Sequence, residues 1–449
     1  MMLRAYPTDL LFLATVLGLS LWVGRALRSG QQARAFQKLG QSPVALVSMI
    51  LLSLHLAVAV LDSIRIEQRG VTLSLLDLAL TPIRTAVERS YSEPLSSVAL
   101  AQEAVIRPNG ETVWTRPRLL HGGPDPLAGQ GDASSDLQRR LWKGLALGLL
   151  SASLMLAPLI LWTLRRSQRS LGSLWRGEVG WPIRSVIVTV LILGGGFGLT
   201  ISLAGGYHVL GTDKVGADVL YQGLKGIRTG LLIGLLTTVT TLPLSVSLGV
   251  LAGYYRGWVD DLIQFLYTAL NAMPSVLLIA ASMLVMEASL GRSPELLGTP
   301  SARADLRLLA LCLILGMTSW TSLCRLIRAE TLKLSRLEFV QAAKVLGVSG
   351  PRILWRHVWP NLSHLILISV ALDFSGLVLA EAVLSYVNIG VDPTTESWGN
   401  MINTARLELA REPVVWWSLA TAFLFMLSLV LPANLLAEAL RDAFDPRRE

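Results

Sequence analysis

Hydrophobic residues gather in long stretches separated by short polar segments. The stretch from Ser42 to Leu61 contains one histidine and no full charge. A helix needs about 20 such residues to cross roughly 30 Å of hydrocarbon. A buried helix of a soluble protein is the alternative, but it usually keeps a polar face. The pattern therefore predicts nine transmembrane helices, over residues 9–24, 42–61, 141–163, 183–204, 227–252, 263–287, 306–326, 362–388 and 415–437.

The composition supports an all-α, polytopic transmembrane helical bundle. Hydrophobic residues make up 52% of the 449 residues and charged residues only 16%, whereas a soluble domain carries about 25% charged residues. The net charge of +8 comes from Lys and Arg in short loops. This placement is typical of cytoplasmic membrane loops and argues against a nucleic-acid partner.

The basic loops predict the orientation of the chain. Short loops rich in Lys and Arg usually stay in the cytoplasm. This rule places residues 330–361 and the carboxyl terminus inside, and the amino terminus and residues 62–140 outside. The external segment carries both charge signs and several prolines, so we expect a small loop-rich domain or a partly disordered cap. The loop residues used are Arg25, Arg28, Arg34, Lys38, Arg165, Arg166, Arg169, Arg176, Arg328, Lys333, Arg336, Lys344, Arg352 and Arg356.

The cytoplasmic stretch from Glu330 to Asn361 predicts two short helices separated by a glycine turn. Ser335 and Glu338 have the spacing of a capping box. The first helix, over 336–346, ends at Gly347, which can adopt a left-handed conformation without steric cost. At about 1.5 Å per residue this helix is roughly 16 Å long. It is too short to cross a bilayer and must lie outside the hydrocarbon.

One face of this helix is apolar. Phe339, Ala342, Ala343 and Leu346 follow the i, i+3, i+4, i+7 spacing. Small residues at the centre suit docking into a groove of a partner protein. An amphipathic helix on the membrane surface is the ordinary alternative.

The order Glu338, Ala342, Ala343 and Gly347, followed by Ile353, His357, Pro360 and Asn361, resembles the EAA loop of ABC importer permeases. The form is that of the dipeptide, oligopeptide and nickel permease group. In that family the first short helix couples the permease to its ATPase. The resemblance assigns ATPase coupling here to a set of six residues. They are Ser335, Glu338, Phe339, Ala342, Ala343 and Gly347.

Other stretches extend the resemblance over most of residues 208–447. HVLGTDKVGADVL, from His208, is similar to the family's external GTD motif, with Ala217 where the family usually has arginine. The segments Leu379–Ile402 and Asn434–Arg447 also resemble the family. The expected organisation is an extra helix and basic loop at 1–41, a family-like first helix at 42–61, an external segment at 62–140, an inserted helix pair at 141–204 and a permease domain at 205–449.

The resemblance implies a type I ABC importer permease of a bacterial inner membrane, with six family-like spans and three extra ones near the amino terminus. The implied partners are cytoplasmic ATP-binding subunits, a second homologous or identical permease, and an external substrate-binding protein. Peptides are the expected substrate, with nickel or another small solute as the alternative. A secondary transporter and a membrane scaffold are the competing functional classes.

Motifs for catalysis and nucleotide binding are missing from the sequence. There is no G-x-x-x-x-G-K-[ST] loop, so we expect ATP and Mg on a partner subunit and no enzymatic activity here. The five histidines show no metal-ligand spacing with Cys312 and Cys324, so no metal site is predicted. Asp373 and Glu381 fall within one predicted span. They either line a translocation path or form interhelical hydrogen bonds.

Overall fold

The computed structural model describes residues 2–3, 6–27, 30–68, 71–106, 112–124, 133–167, 181–291 and 299–444. The chain forms two compact units. The first unit comprises residues 1–4, 34–229 and 396–435, and the second comprises 5–33, 230–395 and 436–449. Arg28, Arg169 and Arg176 of the predicted cytoplasmic loops, residues 69–70, 107–111 and 125–132 of the predicted external segment and residues 445–447 of the predicted tail lie outside the described residues.

Helices dominate both units, which confirms the predicted all-α class. In the described residues, eight helices are long and apolar enough to cross a membrane, or nine if one bent pair forms a span. The helices in chain order are α1 Pro7–Ala26, α2 Gly30–Gln41, α3 Pro43–Ser63, α4 Leu75–Ala79, α5 Thr81–Arg84, α6 Ala133–Ser167, α7 Ile183–Ala204, α8 Val219–Tyr255, α9 Trp258–Asn271, α10 Ser275–Gly291, α11 Pro300–Leu334, α12 Glu338–Val345, α13 Gly350–Ile353, α14 Trp359–Tyr386, α15 Trp398–Glu408 and α16 Trp417–Phe444. A π-helical turn, Leu354–Val358, joins α13 to α14.

Two small antiparallel sheets belong to the first unit. Strands β1 Met2–Leu3, β2 Arg65–Gln68 and β3 Val71–Ser74 form one sheet in the order β1-β2-β3. Strands β4 Glu103–Ile106 and β5 Thr112–Thr115 form the other. The described part of the 62–140 segment therefore consists of two hairpins, the short helices α4 and α5, and connecting loops.

Helices α6 and α7 of the first unit pack closely through glycines. Gly144 and Gly148 on α6, and Gly194 and Gly198 on α7, each have the four-residue spacing of a GxxxG motif. A Cβ added at Gly198 would lie 2.5 Å from the carbonyl oxygen of Gly144. Such a contact requires glycine, which lets two membrane helices approach at their backbones.

In the second unit, glycines also allow close packing between α8 and α11. A Cβ added at Gly249 would lie 2.8 Å from the carbonyl oxygen of Cys324, and one at Gly253 would lie 2.6 Å from Cβ of Thr331. Arg328 on α11 also forms a bidentate pair with Asp260 on α9, with N–O distances of 2.5 and 2.6 Å. These contacts fix three helices at the end of the unit that carries α12.

The predicted span over 263–287, in which Asn271 and Pro274 indicate a kink, is divided. It is two helices, α9 and α10, which meet at an angle of 87°. Pro274 cannot donate a backbone hydrogen bond and disfavours helix in the preceding residue, so it breaks the ladder here. The chain therefore breaks fully at this proline. Asn271 Oδ1 accepts a hydrogen bond from Thr321 on α11.

His55 on α3 makes an interhelical contact, a 2.9 Å hydrogen bond shared with Ser428 on α16. Cys312 and Cys324 are both buried, free thiols on α11.

Candidate functional site

Three residues separate the end of α11 from the short helix α12, which is terminated by a left-handed glycine. Gly347 has φ of +75°. The amide of Val348 donates to the carbonyl of Ala343, and the amide of Gly347 donates to that of Lys344, both at 3.0 Å. These two bonds form a Schellman motif, which requires a residue with positive φ. The predicted end of the helix is therefore confirmed.

The predicted capping box at its beginning is wrong. The N-cap residue of α12 is Leu337, and no side chain caps the helix. Ser335 instead lies at the end of α11, where its hydroxyl donates to the carbonyl of Leu332 at 2.9 Å. That hydroxyl also accepts from Arg256 at 3.0 Å. The serine is only 1% exposed, so it fastens the connection between α11 and α12.

Gln341 strengthens the same connection from the other side. Its side-chain amide donates to the main-chain carbonyl of Ser335 at 2.6 Å. This carbonyl belongs to the last turn of a helix, where four carbonyls lack partners within the helix. Gln341 satisfies one of them and ties the first turn of α12 to the end of α11.

The inner face of α12 is part of a hydrophobic core. Val340 is fully buried, and Ala343 is 8% exposed. Both belong to one cluster whose other members come from α8, α11, α13, the π-helical turn and α14. The other members are Val246, Leu323, Ile327, Leu334, Ile353, Val358 and Leu362. A displacement of α12 must therefore displace side chains of three long helices, because close-packed cores transmit strain.

The outer face of α12 is exposed and largely apolar. Val345 is 87% exposed, Leu346 is 81% exposed and Phe339 is 45% exposed. Ala342 and Glu338 are exposed beside them. We call Glu338, Phe339, Ala342, Val345 and Leu346 the docking face. Contiguous apolar surface outside the hydrocarbon is typical of contacts with another protein or with the membrane surface.

The structure corrects the predicted apolar face in two places. Ala343 was grouped with Phe339 and Leu346, but it points into the core. Val345 was not included, although it is the most exposed of these side chains. The buried face of α12 differs from the predicted one because Val340 packs into the core. An amphipathic pattern alone does not show which side of the helix packs against the rest of the chain.

The two carboxylates predicted on one span have different surroundings. Both belong to α14. Glu381 is 2% exposed and accepts a 2.7 Å hydrogen bond from Ser385. Asp373 is exposed on the surface of this chain. The structure therefore does not bring the two carboxylates into one environment.

A buried ionic cluster in the first unit was not found from the sequence. Lys225 Nζ lies 2.5 Å from Asp62 and 3.0 Å from Asp77. Tyr221 also donates to Asp77 at 2.7 Å. Burial alone would raise the pKa of Asp77, but the charge of Lys225 and hydrogen bonds, including that from the amide of Ser74, lower it overall. In the sequence, the indication of this cluster is that Asp62 and Lys225 lie next to apolar spans.

Glu396 lies outside the spans, between α14 and α15. Burial, together with the nearby negative charge of Asp213, raises the pKa of this carboxyl to about 7. Its main-chain carbonyl accepts a 2.7 Å hydrogen bond from Thr229. Glu396 is thus an acid that titrates near neutral pH in the first unit.

Comparison with known proteins places these features in a family. Residues 245–449 match the family described as binding-protein-dependent transport system inner membrane component. The oligopeptide transport system permease protein OppC of Mycobacterium tuberculosis strain H37Rv is 32% identical over 250 residues, which cover 56% of this chain and 79% of the relative. The di/tripeptide transport system permease protein DppC of Pseudomonas aeruginosa strain UCBPP-PA14 is 32% identical over 239 residues, which cover 53% and 72%.

A third relative differs in its named substrate. The glutathione transport system permease protein GsiD of Pectobacterium atrosepticum is 29% identical over 240 residues, covering 54% of this chain and 73% of the relative. Both α12 and α14 lie within the region matched to the family, whereas α1, α6 and α7 precede it.

Proposed function

Since this chain belongs to the family of inner membrane components of binding-protein-dependent transport systems, we propose that it is the permease subunit of an ATP-driven peptide importer. The named substrates of its relatives support peptides. Oligopeptides, di- and tripeptides, and the tripeptide glutathione appear among them. Nickel or another small solute is the alternative substrate.

The observation that carries this proposal is the division of α12 into a buried base and an exposed apolar face. The docking face binds a cytoplasmic ATP-binding subunit, and Gly347 terminates the helix beside the contact. Ser335 and Ala343 are buried, so they hold α12 in place and do not touch the partner. Residues 330–361 and the carboxyl terminus lie in the cytoplasm, in agreement with the basic loops.

Movement of the partner reaches the spans through Val340 and Ala343. Binding of ATP with Mg by the partner closes its subunits and displaces α12. The chain itself carries no nucleotide-binding loop and no catalytic residue for hydrolysis. Because the base of α12 shares a core with α8, α11 and α14, these helices tilt together and alternate the access of the substrate path.

In the assembled transporter, Asp373 faces protein or water. A carboxylate on a span is costly in contact with lipid, by several kcal/mol at the centre of a bilayer. Its exposure in the single chain supports a second permease or an aqueous translocation path beside α14. Glu381 has an internal partner in Ser385, which favours a role in packing.

Reconstituted vesicles test the proposal. The chain is assembled with a second permease, ATP-binding subunits and the external binding protein, and uptake of a labelled oligopeptide is compared with uptake of labelled nickel. ATP-dependent peptide uptake is the expected result. Uptake driven by an ion gradient without an ATPase would identify a secondary transporter, and ATPase binding without any uptake would identify a scaffold.

A further inference from the structure

Glu88, His121 and His208 of the first unit converge outside the predicted spans. One potential ligand atom from each lies within 4.8 Å of the others. Glu88 Oε1 is 3.5 Å from His208 Nε2 and 3.6 Å from His121 Nδ1. The sequence does not predict this site, because these residues come from three separate loops and follow no short spacing motif.

His208 is fixed so that one ring nitrogen points into this cluster. The side chain is 1% exposed, and its Nδ1 is 2.7 Å from Asp218 Oδ2. When Nδ1 donates its proton to that carboxylate, Nε2 presents a lone pair. Histidines that bind metals are usually oriented by such a carboxylate.

Nε2 of His208 has no hydrogen-bond partner among the described residues, although it is buried. The 3.5 Å separation from Glu88 is longer than the 2.7–3.2 Å typical of hydrogen bonds from nitrogen. A buried polar atom without a partner is unfavourable by about 1–3 kcal/mol. An additional ligand between Nε2 and the carboxylate would remove this cost.

The carboxylate of Glu88 is held just as firmly. Its Oε1 accepts from the amide of His121 at 2.8 Å, and its Oε2 accepts from the amide of Leu120 at 3.1 Å. The side chain is 4% exposed, whereas that of His121 is 44% exposed. The cluster thus has two fixed, buried ligands and one accessible ligand on its open side.

The distances suit a small tetrahedral cation. Zn²⁺ binds histidine and carboxylate at about 2.0–2.2 Å. In a tetrahedron, bonds of this length separate neighbouring ligand atoms by about 3.3–3.6 Å. The observed 3.5 and 3.6 Å between Glu88 and the two histidines match this separation. The two imidazole nitrogens lie within 4.8 Å of each other, and the exposed His121 side chain can move to bring them closer. Imidazole ligands favour zinc-like transition metals over Mg²⁺ or Ca²⁺, which prefer oxygen.

We propose that Glu88, His121 and His208 form a binding site for a divalent transition metal of the Zn²⁺ class, with Asp218 orienting His208. Water fills the fourth position on the side of His121. The ion joins two parts of the 62–140 segment to the turn that precedes α8. This site does not depend on the proposed transport function.

The test uses the full-length chain, purified in detergent and stripped of metal with a chelator. Zn²⁺ is titrated against a competing chromogenic chelator, and Co²⁺ serves as a spectroscopic probe of tetrahedral coordination. We expect one zinc per chain, an increase in melting temperature and the visible absorption of tetrahedral Co²⁺. Failure of the wild-type chain to compete for zinc would overturn the proposal.

Variants locate the site. His121→Ala removes the exposed ligand with little risk to folding, and it should weaken zinc binding at least tenfold. Asp218→Asn should weaken binding by about 10–100-fold, as for other residues that orient a ligand. His364→Ala, on α14 in the other unit, is the matched control and should bind as wild type does. Equal affinity of wild type and His121→Ala would reject the assignment, and loss of binding in the control would reject it equally.

Discussion

The docking face makes a quantitative prediction for Leu346→Ala. This side chain is 81% exposed in the single chain, so its truncation leaves no cavity and should scarcely alter stability. If a partner covers it, the variant loses the burial of a leucine side chain, about 2 kcal/mol. A change of that size weakens the dissociation constant of the complex about 30-fold.

Binding of purified ATP-binding subunits to the permease in lipid nanodiscs measures this effect. Leu407→Ala is the matched control, because Leu407 is also a leucine at a helix, 69% exposed, but lies on α15. It should bind the ATPase with the affinity of the wild type. The assignment of the docking face is rejected if Leu346→Ala binds as tightly as Leu407→Ala.

In contrast to Leu346→Ala, Val340→Ala should lower the stability of the chain itself. Val340 is fully buried on the inner face of α12. Removing two methyl groups from this core destabilises it by roughly 2 kcal/mol, including the cavity that remains. We therefore expect a lower melting temperature together with weaker stimulation of the ATPase by substrate. A normal melting temperature would show that the inner face is not packed as described.

Three other changes test separate features. In Gly347→Ala the added Cβ meets no neighbouring atom within 4 Å, but the residue keeps a φ of +75°. The resulting strain of about 1 kcal/mol should reduce stimulation of the ATPase, while membrane insertion is unchanged. Full stimulation would contradict the left-handed end of the helix. Lys225→Met leaves Asp62 and Asp77 without their cation and should destabilise the chain by about 3–5 kcal/mol. Its melting temperature in detergent should therefore be lower than that of the control Lys225→Arg. Equal melting temperatures would mean that the cluster is not buried. Glu396 has a pKa raised from 4.5 to about 7, so the folded chain retains a proton that the unfolded chain releases in this window, and stability should fall as pH rises between these values. Glu396→Gln should flatten that part of the pH profile of the melting temperature, and an unchanged profile would exclude this carboxyl as its source.

The long helices could be predicted from the sequence because the bilayer imposes a simple requirement. A span needs about 20 apolar residues with internally satisfied backbone groups, and such runs are visible without any knowledge of packing. The helix at 183–204 was predicted within the bounds that the structure gives. At 263–287 hydropathy identifies one span because it measures composition, but it does not give the direction of the chain after Pro274.

The candidate site was only partly predictable. A glycine after a helical pattern has a local steric meaning, so the end of α12 at Gly347 followed from the sequence. The capping box does not form, because the Ser335 hydroxyl instead accepts a hydrogen bond from Arg256, a residue 79 positions away. Similarly, Lys225 and Asp77 are 148 residues apart in sequence. Pairing over such distances is decided by tertiary structure, which local spacing does not contain.

The length of α12 explains why its base must be buried. The helix has eight residues, whereas isolated helices shorter than about 12–15 residues are marginal in water. Its conformation is therefore imposed by the core around Val340 and by the ties at Ser335 and Gln341. A helix held in this way cannot shift or unwind independently of α11. The contacts that stabilise α12 are consequently the same contacts that would carry its displacement into the spans.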